Sequence, residues 1–270
     1  MQEEVVKRLG VLGWPVAHSR SPAMHNAALK ALGLDFSYVT FAVPPERLPQ
    51  AIAGAAALGM RGLNVTIPHK EAALTLCEPD AIGWEAGAVN TLIFEDQTIV
   101  GTNTDVHGFR MLMAEAGVTP GGRAVILGAG GATRAVVLAL RTTGHRQVTL
   151  VSRKGQPITV GDVTVVARPW TPETLARELA GCDLLVDATP RGLDPAGPEL
   201  DLSPLPPHAV VLDLVVKRET RLVAAARARG LKAATGTAML LHQGAAALER
   251  WLGRSAPIEV MRAALEASLD

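Results

Sequence analysis

The feature that most restricts the fold is the stretch Arg123–Gly144, RAVILGAGGATRAVVLALRTTG. Arg123–Leu127 is a short apolar run, β-branched at Val125 and Ile126, the pattern of a strand buried on both faces. Gly128-Ala129-Gly130-Gly131 follows at once. Ala132, Ala135, Val136, Ala139 and Leu140 then recur at helical spacing up to a stop at Gly144. Strand, glycine turn and helix form the setting in which backbone N–H groups bind a pyrophosphate. Gly128 lets the chain turn sharply, Gly130 has no Cβ to hold a phosphate away, and the helix start points its positive end at the anion. The third small position of the G-x-G-x-x-G pattern holds Thr133, and an extra glycine stands at Gly131. A tight turn without a ligand is the competing reading.

The following strand, Gln147–Val151, ends in Ser152-Arg153-Lys154. A carboxylate here would accept hydrogen bonds from the ribose 2′-OH of NAD, yet no Asp or Glu occurs from Ala116 through Gly161. A hydroxyl and two cations suit a 2′-phosphate, so the predicted cofactor is NADP(H); the alternative is a solvated basic turn. Further strands are predicted at Val163–Ala167, Asp183–Asp187, Ala209–Leu212 and Leu231–Ala234, with helices over Pro172–Ala180 and Thr220–Arg229. Six strands in two halves predict an α/β fold with a doubly wound parallel sheet, a Rossmann domain. Ala188-Thr189-Pro190-Arg191-Gly192 is the loop at the edge where a nicotinamide would lie.

Ahead of Thr119-Pro120-Gly121-Gly122 the chain predicts a smaller α/β region, with strands at Arg8–Leu12, Phe36–Val43, Gly62–Ile67, Leu92–Phe94 and Thr98–Val100. Helices are predicted over Pro22–Leu32, over Pro45–Leu58, from Pro68, and over Val106–Ala116. Ser21 followed by Pro22 reads as an N-cap; Ser19 has no such duty, and two hydroxyls beside a helix start are also able to hold a carboxylate. Asn64 and Thr66, two apart on a strand, face one side. Lys70 falls in the first helical turn, where a cation costs about 0.3–1 kcal/mol. Such a breach of a local rule marks either a site or a lysine reaching into water. Asp105 opens a helix and reads alone as a cap. Gln243, amid Met239, Leu240, Leu241, Ala245 and Ala246 on the first of two closing helices (Thr237–Leu252, Ala256–Leu269), reads alone as a helix-surface amide.

Composition removes several classes of function. The 270 residues are 48% hydrophobic, with formal net charge +0 and only 3% aromatics, so there is no basic stripe for nucleic acid. The apolar runs are too short to span a bilayer, and Met1–Leu9 lacks a signal-peptide pattern. Cys77 and Cys182 are far apart and read as reduced thiols, consistent with the cytoplasm; the seven histidines show no metal-ligand spacing.

The ordered set Ser19-x-Ser21-Pro22, Asn64-Val65-Thr66-x-Pro68-x-Lys70, Gly87-Ala88-x-Asn90-Thr91, Asn103-Thr104-Asp105, Gly128-x-Gly130-Gly131-Ala132 and Gln243-Gly244-Ala245 closely resembles the shikimate dehydrogenase family over nearly the whole chain. The resemblance implies NADPH-dependent reduction of 3-dehydroshikimate to shikimate. An N-terminal substrate domain, residues 1–104 with 237–270, would accompany the NADP-binding domain, residues 105–236. It implies that Ser19 and Ser21 hold the substrate carboxylate and that Asn64, Thr66 and Asn90 grip hydroxyls. Gln243 would reach in from the closing helix, and Lys70 with Asp105 would sit at the reacting oxygen. Gly128, Ala129, Gly130, Gly131, Ala132, Ser152, Arg153, Lys154, Thr189, Leu214 and Gly236 are the implied cofactor contacts. The chain departs from the family pattern at Val216, where a tyrosine is usual, at Arg218 for proline, at Asp187 for asparagine and at Val106 for a small residue. Val216 motivates one rival, a quinate/shikimate dehydrogenase or paralogue with another substrate. A catalytically silent NADP(H) sensor is a second. The expected partner is a small-molecule substrate, with neither nucleic acid nor membrane, for a monomer or homodimer.

Overall fold

The computed structural model describes residues 7–95, 98–194 and 199–269. The turn expected at Glu95-Asp96-Gln97 and the proline-rich stretch Asp194–Pro207 lie partly outside the described residues. The chain divides into two compact units, Met1–Thr104 with Leu241–Leu269, and Asp105–Leu240.

The first unit opens with β1 (Lys7–Gly13), α1 (Ser21–Ala31), β2 (Phe36–Ala42), α2 (Leu48–Ala57) and β3 (Gly62–Val65). It continues through α3 (Lys70–Ala73), β4 (Glu78–Pro79), α4 (Ala81–Ala86), β5 (Thr91–Phe94) and β6 (Ile99–Thr102). Its sheet runs β2-β1-β3-β5-β6-β4. β1 is parallel to β2 and β3, and β5 is antiparallel to β3 and β6. The helix expected from Pro45 begins instead as a 3-10 turn, Pro45–Arg47, and becomes α-helical only at Leu48. The reason is Pro49: deep in a helix it would lose a backbone bond and clash with the preceding turn, whereas in the first turn of α2 it fits. The helix expected from Pro68 shrinks to the four residues of α3 and a 3-10 turn, Leu74–Leu76. α4 has no counterpart among the elements expected from the sequence; Asp80 caps it by accepting from Gly83 N at 2.9 Å. One face of the sheet is sealed by Leu12, Leu48, Ile52, Leu63, Val65, Val89 and Leu92.

The second unit contains α5 (Asp105–Glu115), β7 (Arg123–Leu127), α6 (Gly131–Thr142), β8 (Gln147–Ser152), β9 (Ile158–Val160), β10 (Val163–Pro169) and α7 (Pro172–Leu179). β11 (Leu184–Asp187), β12 (Val210–Asp213), α8 (Arg221–Ala228) and β13 (Lys232–Thr235) follow. α9 (Thr237–Leu252) and α10 (Ile258–Ala267) end the chain; most of α9 and all of α10 belong to the first unit, where α10 packs on α1. The sheet order β13-β12-β11-β7-β8-β10-β9 is the doubly wound arrangement, all parallel except β9. β9 is an addition to the six expected strands: three residues turning at Gly161 (φ +58°) to pair back on β10 carry too short an alternation to read. β7, β11 and β12 are buried over four or more consecutive residues, as strands covered on both faces must be. Strand order reverses between β7 and β11, so the ligand crevice of this sheet type lies at their carboxyl ends.

Candidate active site

In the first unit, parallel β1 and β3 end side by side at Gly13 and Val65, and α1 starts shortly after β1. Ser21 is not the N-cap. Arg20, already in helical conformation, holds that position, and Ser21 is the first residue of α1. The Ser21 N–H donates to Ser19 Oγ at 3.3 Å, so the hydroxyl that serves the helix start is Ser19's. The buried Ser21 side chain lies beside the Tyr38 phenol on β2 instead.

Tyr38 is the chain's single tyrosine, and no sequence motif singles it out. Its Oη donates to Asn64 Oδ1 at 2.7 Å, and Asn64 Nδ2 donates to Thr91 Oγ1 at 3.0 Å and to the Asn90 carbonyl at 3.2 Å. Asn90 continues the chain of bonds. Its Oδ1 accepts from Thr91 Oγ1 (2.9 Å) and Thr104 N (2.8 Å), and its Nδ2 donates to Thr104 Oγ1 (3.0 Å) and Gln243 Oε1 (3.3 Å). Gln243 is thus a buried, inward amide and not the helix-surface group expected from its neighbours. Gly244 beside it lets α9 close on α1, since a Cβ there would stand 2.3 Å from Met24 Cε. Asn64, Asn90, Thr91, Thr104 and Gln243 are all buried, so this polar layer is stiff and its members hold fixed orientations.

Burial pushes the Tyr38 phenol above its ordinary range and the neighbouring His25 imidazole down to about 3, so both are neutral at physiological pH. The two rings stack at 4.2 Å and 6°. Thr66 lies just past the end of β3, half-buried. Lys70, also half-buried, is the first residue of α3, and its carbonyl accepts from Val89 N at 2.8 Å. The dipole argument made for Lys70 from the sequence loses most of its force, because a four-residue helix has little dipole to oppose a cation.

In the second unit, Asp105 is the buried first residue of α5. Gly128 has φ +99°, and a Cβ there would lie 2.9 Å from Thr189 Cγ2, so the glycine turn and the loop after β11 are packed together. A Cβ on Gly130 would meet nothing within 4 Å: the space beside the α6 N-terminus is open, as an anion requires. Ala129 is exposed next to it, and Gly131 and Ala132 form the first turn of α6. Thr133, in place of the third glycine, is buried and donates its hydroxyl to the Gly128 carbonyl at 3.2 Å. Ser152 is buried and its Oγ accepts from Gly155 N at 3.2 Å, holding the turn on which Arg153 and Lys154 stand exposed. Leu214 and Gly236 touch: a Cβ on Gly236 would fall 2.1 Å from the Leu214 carbonyl oxygen. Among the described residues no group of three or more His, Cys, Asp or Glu is placed to hold a metal ion.

A doubly wound sheet with an open, glycine-lined helix N-terminus at its switch point defines a dinucleotide-binding α/β protein. Residues 11–92 match the shikimate dehydrogenase substrate binding domain, and residues 236–266 match the shikimate 5′-dehydrogenase C-terminal domain. A shikimate dehydrogenase (NADP(+)) of Symbiobacterium thermophilum is 46% identical over 97% of this chain and 94% of its own. Its counterpart from Methanopyrus kandleri is 46% identical over 95% and 94%. The crystal structure of shikimate 5-dehydrogenase from Thermus thermophilus, in complex with NADP(H) and shikimate, is similar with TM-score 0.86 and 37% identity over 97% of this chain and 100% of that one. The ligand-free 5-ketofructose reductase of a Gluconobacter species is also similar, with TM-score 0.83 and 30% identity over 98% and 99%. The chain belongs to the shikimate dehydrogenase family.

Proposed function

We propose that this chain is an NADP-dependent shikimate dehydrogenase that interconverts 3-dehydroshikimate and shikimate. The reading is carried by the buried network Tyr38–Asn64–Thr91–Asn90–Gln243, which holds hydroxyl and amide groups together at one sheet edge as a polyhydroxylated acid demands. In this reading the first unit takes the substrate and the second takes the cofactor. Ser19 and Ser21 hold the carboxylate, Asn64, Thr66 and Asn90 the hydroxyls, and Gln243 closes the ring from α9. Bound NADPH supplies the hydride. Lys70 donates the proton that neutralises the developing alkoxide, and takes it back in the reverse direction. Asp105 orients that ammonium and the substrate hydroxyl. The residues fit the cofactor: the open N-terminus of α6 suits its pyrophosphate, and Arg153 and Lys154 suit its 2′-phosphate. Thr189, Leu214 and Gly236 line the nicotinamide end. The enzyme is cytoplasmic, a monomer or homodimer; among the described residues no helix is long and apolar enough to cross a membrane.

Steady-state rates with shikimate and quinate, each with NADP and NAD, test the proposal. Turnover with shikimate and NADP at least tenfold above the other three combinations is expected. A second reading, a relative with another polyol or keto-sugar substrate, is favoured by Val216 and by the likeness to the 5-ketofructose reductase. Faster turnover of quinate or a keto-sugar would replace the first reading with the second. No absorbance change at the NADPH band, at high protein concentration with shikimate and NADP, would leave a sensor. The phosphate contact has its own test. Arg153→Ala should raise KM for NADP about tenfold or more, the loss of one charge-assisted hydrogen bond, with KM for NAD unchanged. Equal effects on both cofactors would take Arg153 off the 2′-phosphate.

A further inference from the structure

Asp187 and Asp213 end adjacent parallel strands, β11 and β12, and are direct register partners. Register partners on neighbouring strands stand about 5 Å apart with side chains on the same face. Both are buried, Asp187 at 3% exposure and Asp213 at 0%. Asp187 Oδ1 accepts two bonds from Thr189, from its N–H at 2.9 Å and its hydroxyl at 2.6 Å, and so pins the start of the Pro190–Leu193 turn. Asp213 Oδ1 accepts from Val215 N at 3.0 Å, and Thr220, the N-cap of α8, stands beside its carboxyl. Asp213 Oδ2 is enclosed with no hydrogen-bond partner among the described residues, covered by Gly192, where a Cβ would stand 2.8 Å away.

An ionised, enclosed and unpartnered carboxylate oxygen beside a second buried carboxyl is a costly arrangement, and a proton on one of the two removes it. The charged groups that face the pair are Arg191, acting on both acids, and Lys217, which acts on Asp213 and donates to the Gly192 carbonyl at 3.1 Å. Burial outweighs these cations and raises both acids above the ordinary carboxylate range; the charge of Asp213 raises Asp187 further. Such a pair titrates as a unit.

We propose that Asp187 and Asp213 hold one proton between them in the folded protein, and that this proton keeps the Thr189–Leu193 turn in place for the cofactor. When it leaves to solvent, two buried negative charges repel. Asp187 swings away, its bonds to Thr189 break, and the turn loosens. The cofactor half of this statement rests on the reading of Thr189 as a cofactor contact.

The test compares cofactor-free protein and NADPH binding in wild type and Asp187→Asn, which keeps size and the Oδ1 acceptor but removes the like charge. Asp213→Asn breaks the same pair from the other strand and serves if the first variant does not fold. Both folded pKa values are raised, so the folded state holds more protons than the unfolded one. Its stability therefore falls as pH climbs from the ordinary carboxylate range through the folded pKa values. Asp187→Asn should gain about 2–4 °C in Tm over wild type across that climb. The Kd of wild type for NADPH, by fluorescence titration, should rise about fivefold or more relative to the variant over the same span; the cofactor's own phosphate titration is common to both and cancels. Parallel Tm profiles overturn the shared proton. Diverging Tm profiles with parallel Kd profiles uphold the shared proton and overturn the assignment of Thr189 to the cofactor.

Discussion

Replacing Lys70 with alanine should lower kcat for reduction of 3-dehydroshikimate by about 10²–10⁴-fold, the usual contribution of a positioned proton donor, while KM moves far less. In the proposed role the ammonium would meet the substrate oxygen at full strength only when that oxygen becomes an alkoxide, so its loss would be felt in the transition state and little in the ground state. The backbone of Lys70 is held by the Val89 N–H, and α3 behind it is a single turn, so the truncation should cost little structure. Lys70→Arg keeps the charge but cannot release its proton easily, and should recover only part of the loss. Steady-state kinetics at saturating NADPH decide it. A kcat within threefold of wild type, with the rise confined to KM, would make Lys70 a binding group only.

Trp251→Ala should destabilise the protein by about 3–5 kcal/mol, the range for deleting a large buried side chain. Trp251 is 1% exposed on α9, with its ring tilted against His25 at 5.7 Å and Tyr38 at 6.2 Å. Its Nε1–H donates to the Leu92 carbonyl at 2.9 Å, and Gly62 is bare because a Cβ there would lie 2.0 Å from Nε1. Truncation opens a cavity beneath the Tyr38–Asn64 bond and orphans a buried carbonyl. Trp251→Phe keeps most of the packing and should cost only about 1–3 kcal/mol. Urea denaturation followed by far-UV circular dichroism gives both numbers. A Trp251→Ala loss under about 1 kcal/mol would mean that the ring is not packed as described.

The strands and the glycine turn are legible because each is written in neighbouring residues: apolar runs of a few residues, small residues where the chain must bend, helical spacing after the turn. The doubly wound sheet follows from their alternation. Short elements escape, since α4 has six residues and β9 three, too few for a period to show. The candidate site is legible residue by residue through the family pattern, but not in its connections. Ser21 resembles a cap because caps and ligand hydroxyls share one sequence signature; only Arg20's helical conformation separates them. Gln243 reads as peripheral because its partner, Asn90, lies 153 positions away. Tyr38 carries no local signal at all.

The sequence alone determined where the chain runs straight, where it turns and which turn can take a phosphate, because those depend on backbone sterics and on the spacing of apolar groups within a few residues. Only the tertiary structure decided which polar side chains meet: Tyr38 with Asn64, Asn90 with Gln243, Asp187 beside Asp213. Such pairings arise when distant segments are buried together and each polar atom must find a partner inside, a condition that no short window of sequence contains.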